Sequence, residues 1–196
     1  FFSHFILSMR CDDLGKMSFE ECELAILRKA VDKAEYKEGK KILNNPEITD
    51  IIKIVEEFLK SKKLICYGGT AINNILPEQD QFYDKEIEIP DYDFFSTDPL
   101  NDAKALADIY YKKGFHEVEA KSGSHAGTFK VFVNFIPVAD ITFLVPELFK
   151  VLKKNAEMRA GIYYTPPNYL RMLMYLELSR PAGDTSRWEK VLKRII

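Results

Sequence analysis

Asp91-Tyr92-Asp93-Phe94-Phe95-Ser96 is a short aromatic run that opens on two carboxylates. Its composition suits a β-strand, and because side chains alternate along a strand, Asp91 and Asp93 project from one face. Two anionic ligands side by side make a candidate site for a hard cation. Farther on, Asp140 stands alone inside Pro137-Val138-Ala139-Asp140-Ile141-Thr142-Phe143, another strand-forming run. A carboxylate among apolar neighbours is costly unless something compensates it, and a metal ion would. Three carboxylates can hold two magnesium ions about 4 Å apart. The rival reading makes Asp91 and Asp93 a solvated strand entry and Asp140 a charge on an open sheet face.

Upstream, the apolar strand Leu64 to Tyr67 runs into Gly68-Gly69-Thr70 and then a helix-like Ala71 to Leu76. Paired glycines at a strand-to-helix junction let backbone N–H groups approach phosphate, and the helix start favours anions. Alone, the same residues would be a tight turn capped by Thr70. Joined to Asp91, Asp93 and Asp140, they form a more specific constellation than any single part.

The rest of the chain frames this centre. Ser18 and Glu21 have the form of a capping box for a helix running to about Glu38, and Pro46 opens a second helix with an apolar stripe from Ile48 to Leu59. The polar stretch 77–89 reads as irregular. A helix is expected from Pro99 to Lys113, closed by Gly114, with strands at 115–120, 127–134 and 137–145 and helical stretches after Pro146, Pro166 and Gly183. Helices, then a small mixed sheet carrying acidic residues, then helices again predict an α+β fold with segregated parts.

With 196 residues, 46% of them hydrophobic and 30% charged, the chain can bury one full domain plus an appendage. The net charge of −2 argues against bulk polyanion binding, so any nucleic acid must meet a local patch. No apolar run approaches the roughly 20 residues that cross a bilayer, and no membrane partner is expected. Cys11, Cys22 and Cys66 form neither an even framework nor a Cys-x-x-Cys pair, which signals neither a disulfide scaffold nor a zinc site and fits a reducing compartment. The opening residue is not Met, and Ile196 falls inside a basic amphipathic pattern, so a fragment of a longer protein is expected.

Cations are available near the end of the chain. Helical spacing from Thr185 puts Arg187, Lys190, Val191 and Arg194 on adjoining parts of one face, which either meets triphosphate or RNA backbone or is simply solvated. Thr128, Lys130 and Asn134 alternate on one strand face, so Lys130 either contacts phosphate or RNA or is an exposed strand lysine. Tyr163, Tyr164 and Tyr169 could stack on adenine or pack a helix against the sheet, and Trp188 reads as core.

The pattern Gly68-Gly69-Thr70, Asp91-x-Asp93 and a distant Asp140 resembles the DNA polymerase β-like nucleotidyltransferase superfamily. The longer words Cys66-Tyr67-Gly68-Gly69-Thr70-Ala71-Ile72-Asn73-Asn74, Asp91 to Ser96 and Asn134-Phe135-Ile136-Pro137-Val138-Ala139-Asp140-Ile141-Thr142 are similar to poly(A) polymerase catalytic subunits of large nucleocytoplasmic DNA viruses, mimivirus-like and more distantly poxvirus. The resemblance runs from about Cys66 to the end of the chain, and the interval 77–90 reads as a family insertion. It implies a nucleotidyltransferase palm at 61–155, flanked by an N-terminal helical segment at 1–60 and the start of a C-terminal helical domain at 156–196. It further implies ATP as donor, an RNA 3′-hydroxyl as acceptor, and two Mg2+ or Mn2+ ions on Asp91, Asp93 and Asp140. Gly68, Gly69, Thr70, Arg187 and Lys190 would then bind nucleotide, with Lys130 and Arg194 as RNA or phosphate contacts. A homodimer or a processivity subunit would be the protein partner, and the location cytoplasmic, in a host or a virion. Two rivals remain: a nucleotidyltransferase acting on a protein or small molecule, and an idle palm kept as an RNA-binding or dimerisation scaffold.

Overall fold

The computed structural model describes residues 18, 20, 22–31, 33, 45–83, 88–180, 185 and 188–195. Residues 22–31 are helical, as the capping-box reading expects for that part of the chain. Helix α1, Pro46–Lys62, begins where Asn45 accepts a hydrogen bond from the Glu47 N–H at 3.0 Å and Pro46 occupies the first turn. It ends at Lys63 in the left-handed region.

Strand β1 (Ile65–Tyr67) leads directly into α2 (Gly68–Ile75), so the paired glycines belong to the helix's first turn. After a 3-10 turn at Glu78–Asp80 come β2 (Tyr92–Ser96), α3 (Pro99–Lys112), β3 (Val118–Ser122), β4 (Thr128–Val133) and β5 (Ile136–Phe143). Helix α4 (Pro146–Lys154), strands β6 (Glu157–Arg159) and β7 (Ile162–Tyr164), and helices α5 (Pro167–Ser179) and α6 (Trp188–Ile195) complete the order.

The seven strands form one mixed sheet in the order β3-β4-β5-β2-β1-β7-β6. Strand β2 lies inside it, antiparallel to β1 and parallel to β5. The architecture is α+β, as the element order predicts. Alternation along β2 sends Phe94 to one face and Phe95 to the other. Phe94 joins the larger core, where Ile51, Val55, Phe58 and Leu59 of α1 meet Leu106 and Tyr110 of α3. The buried Tyr110 hydroxyl donates to the Ile51 carbonyl at 2.7 Å, which ties the two helices together without an unpaired polar atom. Phe95 joins a smaller cluster with Ile65, Leu144 and Leu152.

Two structured elements fall outside the sequence reading. The hairpin β6–β7 lies beyond residue 155, yet β7 pairs in parallel with β1 and extends the sheet. Its turn is Ala160-Gly161, with both φ positive, at 49° and 83°. Helix α1 likewise packs into the sheet's core across the 60/61 boundary. Cys22 takes part in a disulfide whose other half lies outside the described residues, while Cys66 is free and buried in β1. Among the described residues no helix is long and apolar enough to cross a membrane.

Candidate active site

The carboxylates gather because of sheet register. Asp93 and Asp140 are direct partners on the parallel strands β2 and β5, so both side chains leave the same face. Asp91 precedes β2 by one residue and keeps solvent contact. The Thr70 hydroxyl donates to its carbonyl at 2.6 Å, fastening the strand entry to the first turn of α2. On the same face, Tyr67 is Asp93's partner in β1, and its ring stacks on Phe95 at 4.0 Å between centroids. The Tyr67 and Thr142 hydroxyls share a 2.8 Å hydrogen bond that forms the polar floor.

The electrostatics follow from crowding like charges on a half-buried face. Burial, then the charge of Asp140, lifts the Asp91 carboxyl to about 6, against the opposing pull of Lys130 and Lys190. Asp93 rises further, to about 7, through burial and the charges of Asp91 and Asp140, with Lys130 and Arg194 opposing. Burial beside Asp93 also pushes the Cys66 thiol far up, which makes it an inert core group.

Lys130 lies on the carboxylate face of the sheet. It is Asp140's partner across β4–β5, and its ammonium forms an ion pair with Asp140 Oδ2. That pairing depends on an irregularity. The tight turn at Asn134-Phe135, with φ of 49° and 65°, sets Val133 opposite Ile136 and Phe132 opposite Pro137. A bulge between Val131 and Phe132 then shifts the register by one, and Val138 and Ala139 are both buried in succession. Without it, Lys130 would face Ala139. Asn134 does not share the Lys130 face; it occupies the turn and donates to Glu47 at 2.7 Å.

Gly68 has φ of 72°, and a Cβ there would collide with the Asp93 carboxylate. A Cβ on Gly69 would meet the Tyr83 hydroxyl and come within 2.6 Å of Arg194 Nη2. The turn is therefore bare of side chains because its neighbours lie close on both sides. Arg194 donates to the Tyr83 hydroxyl at 2.6 Å and packs 5.5 Å from the centre of the Phe82 ring. Lys190 lines a cavity of about 740 Å³ beside Asp91, together with Glu56, Asn74, Tyr92, Arg159 and Tyr164. Of the basic helix face, Lys190 and Arg194 reach the site, while Arg187 lies outside the described residues.

Tyr83 is absent from the sequence reading. The Asn73 side-chain oxygen accepts from the Phe82 and Tyr83 N–H groups at 2.8 and 2.9 Å and so holds the segment beside α2. An aromatic pair in an otherwise polar stretch was the available signal. Of the three tyrosines considered for stacking, Tyr164 is buried and its hydroxyl accepts from Asn74 at 3.1 Å. Tyr169 packs edge-on to Phe95, and Tyr163 lies under the Lys153 ammonium. Tyr164 also lines the cavity beside Asp91. Trp188 is half-buried.

Among the described residues no group of three or more His, Cys, Asp or Glu side chains is placed to hold a metal ion. The residues nevertheless fit a hard divalent cation. Asp140 Oδ1 is buried with no hydrogen-bond partner, the two neighbouring carboxyls are raised by burial and then by the like charges beside them, and every candidate ligand atom is oxygen.

Comparison with known proteins gives the family and the fold. Residues 53–184 match the family described as poly(A) polymerase catalytic subunit. A protein of African swine fever virus (strain Badajoz 1971 Vero-adapted), provisionally named poly(A) polymerase catalytic subunit, is 34% identical over 161 residues, covering 79% of this chain and 34% of the relative. One of the same provisional name from Acanthamoeba polyphaga mimivirus is 33% identical over 150 residues, covering 74% and 25%. The crystal structure of the Megavirus polyadenylate synthase superposes with a TM-score of 0.80 at 27% identity, covering 96% of this chain and 38% of that one. The chain thus spans about a third of the length of these relatives. With the match extending over well over half of its residues, and with the three carboxylates, the glycine turn and the sheet in place, the chain belongs to the poly(A) polymerase catalytic subunit family.

Proposed function

We propose that this chain forms the palm of a template-independent poly(A) polymerase that adds AMP from ATP to RNA 3′ ends. The observation that carries the reading is the cross-strand pairing of Asp93 with Asp140, with Gly68 close against the Asp93 carboxylate. Asp91, Asp93 and Asp140 would hold the divalent cations. Bound Mg2+ or Mn2+, two ions in this proposal, would lower the pKa of the attacking hydroxyl and steady the leaving pyrophosphate.

The chain's own residues do the rest. Gly68 and Gly69 place no side chain between a triphosphate and the backbone N–H groups at the start of α2, and Thr70 holds the Asp91 backbone against that turn. Lys190 and Arg194, brought near Asp91 and Asp93, offset the charge of a triphosphate that the carboxylates alone would repel. Arg187 belongs to the same proposed basic face. An RNA 3′ end is the acceptor, a homodimer or processivity subunit the protein partner, and a host cytoplasm or virion the location. The stretch 156–196 is proposed as the start of a C-terminal helical domain whose first residues lend the β6–β7 hairpin to the palm sheet, and 1–60 as an N-terminal helical segment of which α1 packs into the palm core.

Primer extension by the full-length protein, with each of the four nucleoside triphosphates and Mg2+ or Mn2+, tests the reading. ATP-dependent growth of an RNA primer is expected. Transfer of a single nucleotide to a protein or small molecule in place of RNA, or no transfer at all, would replace it with one of the rival readings.

A further inference from the structure

We infer that Lys130 is a resident counter-ion of Asp140 that yields its place to the divalent cation and thereby sets the metal affinity of the site. The inference rests on the reading of Asp91, Asp93 and Asp140 as metal ligands and adds a residue that this reading does not need.

The placement is built into the sheet. Opposed residues on antiparallel strands have side chains in direct reach, and the bulge beside Val131 is what brings Lys130 opposite Asp140. Bulges re-aim side chains, and this one aims an ammonium at the Asp140 carboxylate. The pair is also asymmetric. The Lys130 side chain is 32% exposed, whereas that of Asp140 is 17% exposed. The lysine stem can therefore retract to water while the carboxylate stays on the buried face.

The ammonium serves one oxygen only. It binds Asp140 Oδ2 and leaves Oδ1 buried without a partner, so the carboxylate is half satisfied. A tethered monovalent cation meets one carboxylate directly and acts on Asp91 and Asp93 only through space. A divalent cation engages several carboxylates at once and satisfies both kinds of demand, so it displaces the lysine. Lys121, one strand over and paired with the exposed Glu119 at 2.8 Å, shows the ordinary surface pair of this sheet. It removes the same charge when substituted but does not touch Asp140.

The test is Mn2+ binding to the full-length protein without nucleotide, by calorimetry, at alkaline pH so that protons do not compete at the carboxylates. Lys130→Met should tighten the Kd by about tenfold, and Lys130→Arg, which keeps the cation, should not tighten it. Lys121→Met should leave the value unchanged. The metal-induced rise in Tm should be larger in Lys130→Met than in the parent protein, which reads the same affinity even if that variant is less stable alone. An unchanged or weaker Kd in Lys130→Met, or equal tightening in Lys121→Met, overturns the inference while the metal-site reading stands. Undiminished Mn2+ binding by Asp140→Asn would remove the metal-site reading and the inference with it.

Discussion

Replacing Asp93 with Asn should make the metal-free protein more stable above neutral pH, although the residue is proposed to be indispensable for activity. The Asp93 carboxyl is raised from 3.8 to about 7, chiefly by burial and then by Asp91 and Asp140. A group that holds its proton more tightly when folded contributes stability that is complete below its unfolded pKa and is lost as pH rises through the folded one. At about 1.4 kcal/mol per unit, the shift sets a ceiling of roughly 4 kcal/mol, and solvent screening of a site open on one side reduces this to about 2 kcal/mol. Thermal melting without divalent metal should show wild type and Asp93→Asn nearly matched at about pH 3.5, below the unfolded carboxyl pKa, and separated by about 4–8 °C at about pH 8, the variant melting higher. Saturating Mn2+ should erase the gap or reverse it, because the cation binds the charged wild-type set and not the amide. Parallel melting curves across this range would refute the claim that the three carboxylates burden the folded state.

Asp140→Ala should lower primer extension by about a thousandfold or more with the fold retained, checked by activity beside circular dichroism. Gly69→Val should raise the KM for ATP with little loss of metal binding, since the added atoms meet only the flexible ends of Tyr83 and Arg194, whereas Gly68→Ala should damage both, through its positive φ and the Asp93 collision. Lys190→Ala with Arg194→Ala should raise the KM for ATP by about tenfold, or weaken RNA binding with a shallower salt dependence, as read by steady-state kinetics and titration at several salt concentrations. Normal values would return that helix face to solvent.

The parts of this molecule legible in its sequence were those with a local signature. Alternation placed Asp91 and Asp93 together, an isolated charge flagged Asp140, and Pro46 and Pro99 marked helix starts that the structure keeps. The glycines were placed before a helix and prove to be its first turn, a shift of three residues. Three-residue strands show no period; β1 was legible through its apolar run into paired glycines, whereas β6 and β7 had no such flanking signal and passed unseen. The Lys130–Asp140 pair was hidden for a different reason. Cross-strand partners follow from counting back from a turn, and a bulge changes the count by one without leaving a residue type that announces it.

Strand β2 is flanked by β1, which precedes it closely, and by β5, which the chain reaches only after a helix and two further strands. The site's three acids are consequently gathered by long-range pairing, the slowest kind of contact to form. A chain emerging during synthesis carries Asp91 and Asp93 well before Asp140 exists to face them. Cation binding at this face is then a reporter of finished topology: in a refolding experiment, Mn2+ uptake should appear with the last sheet signal and not with early helix formation.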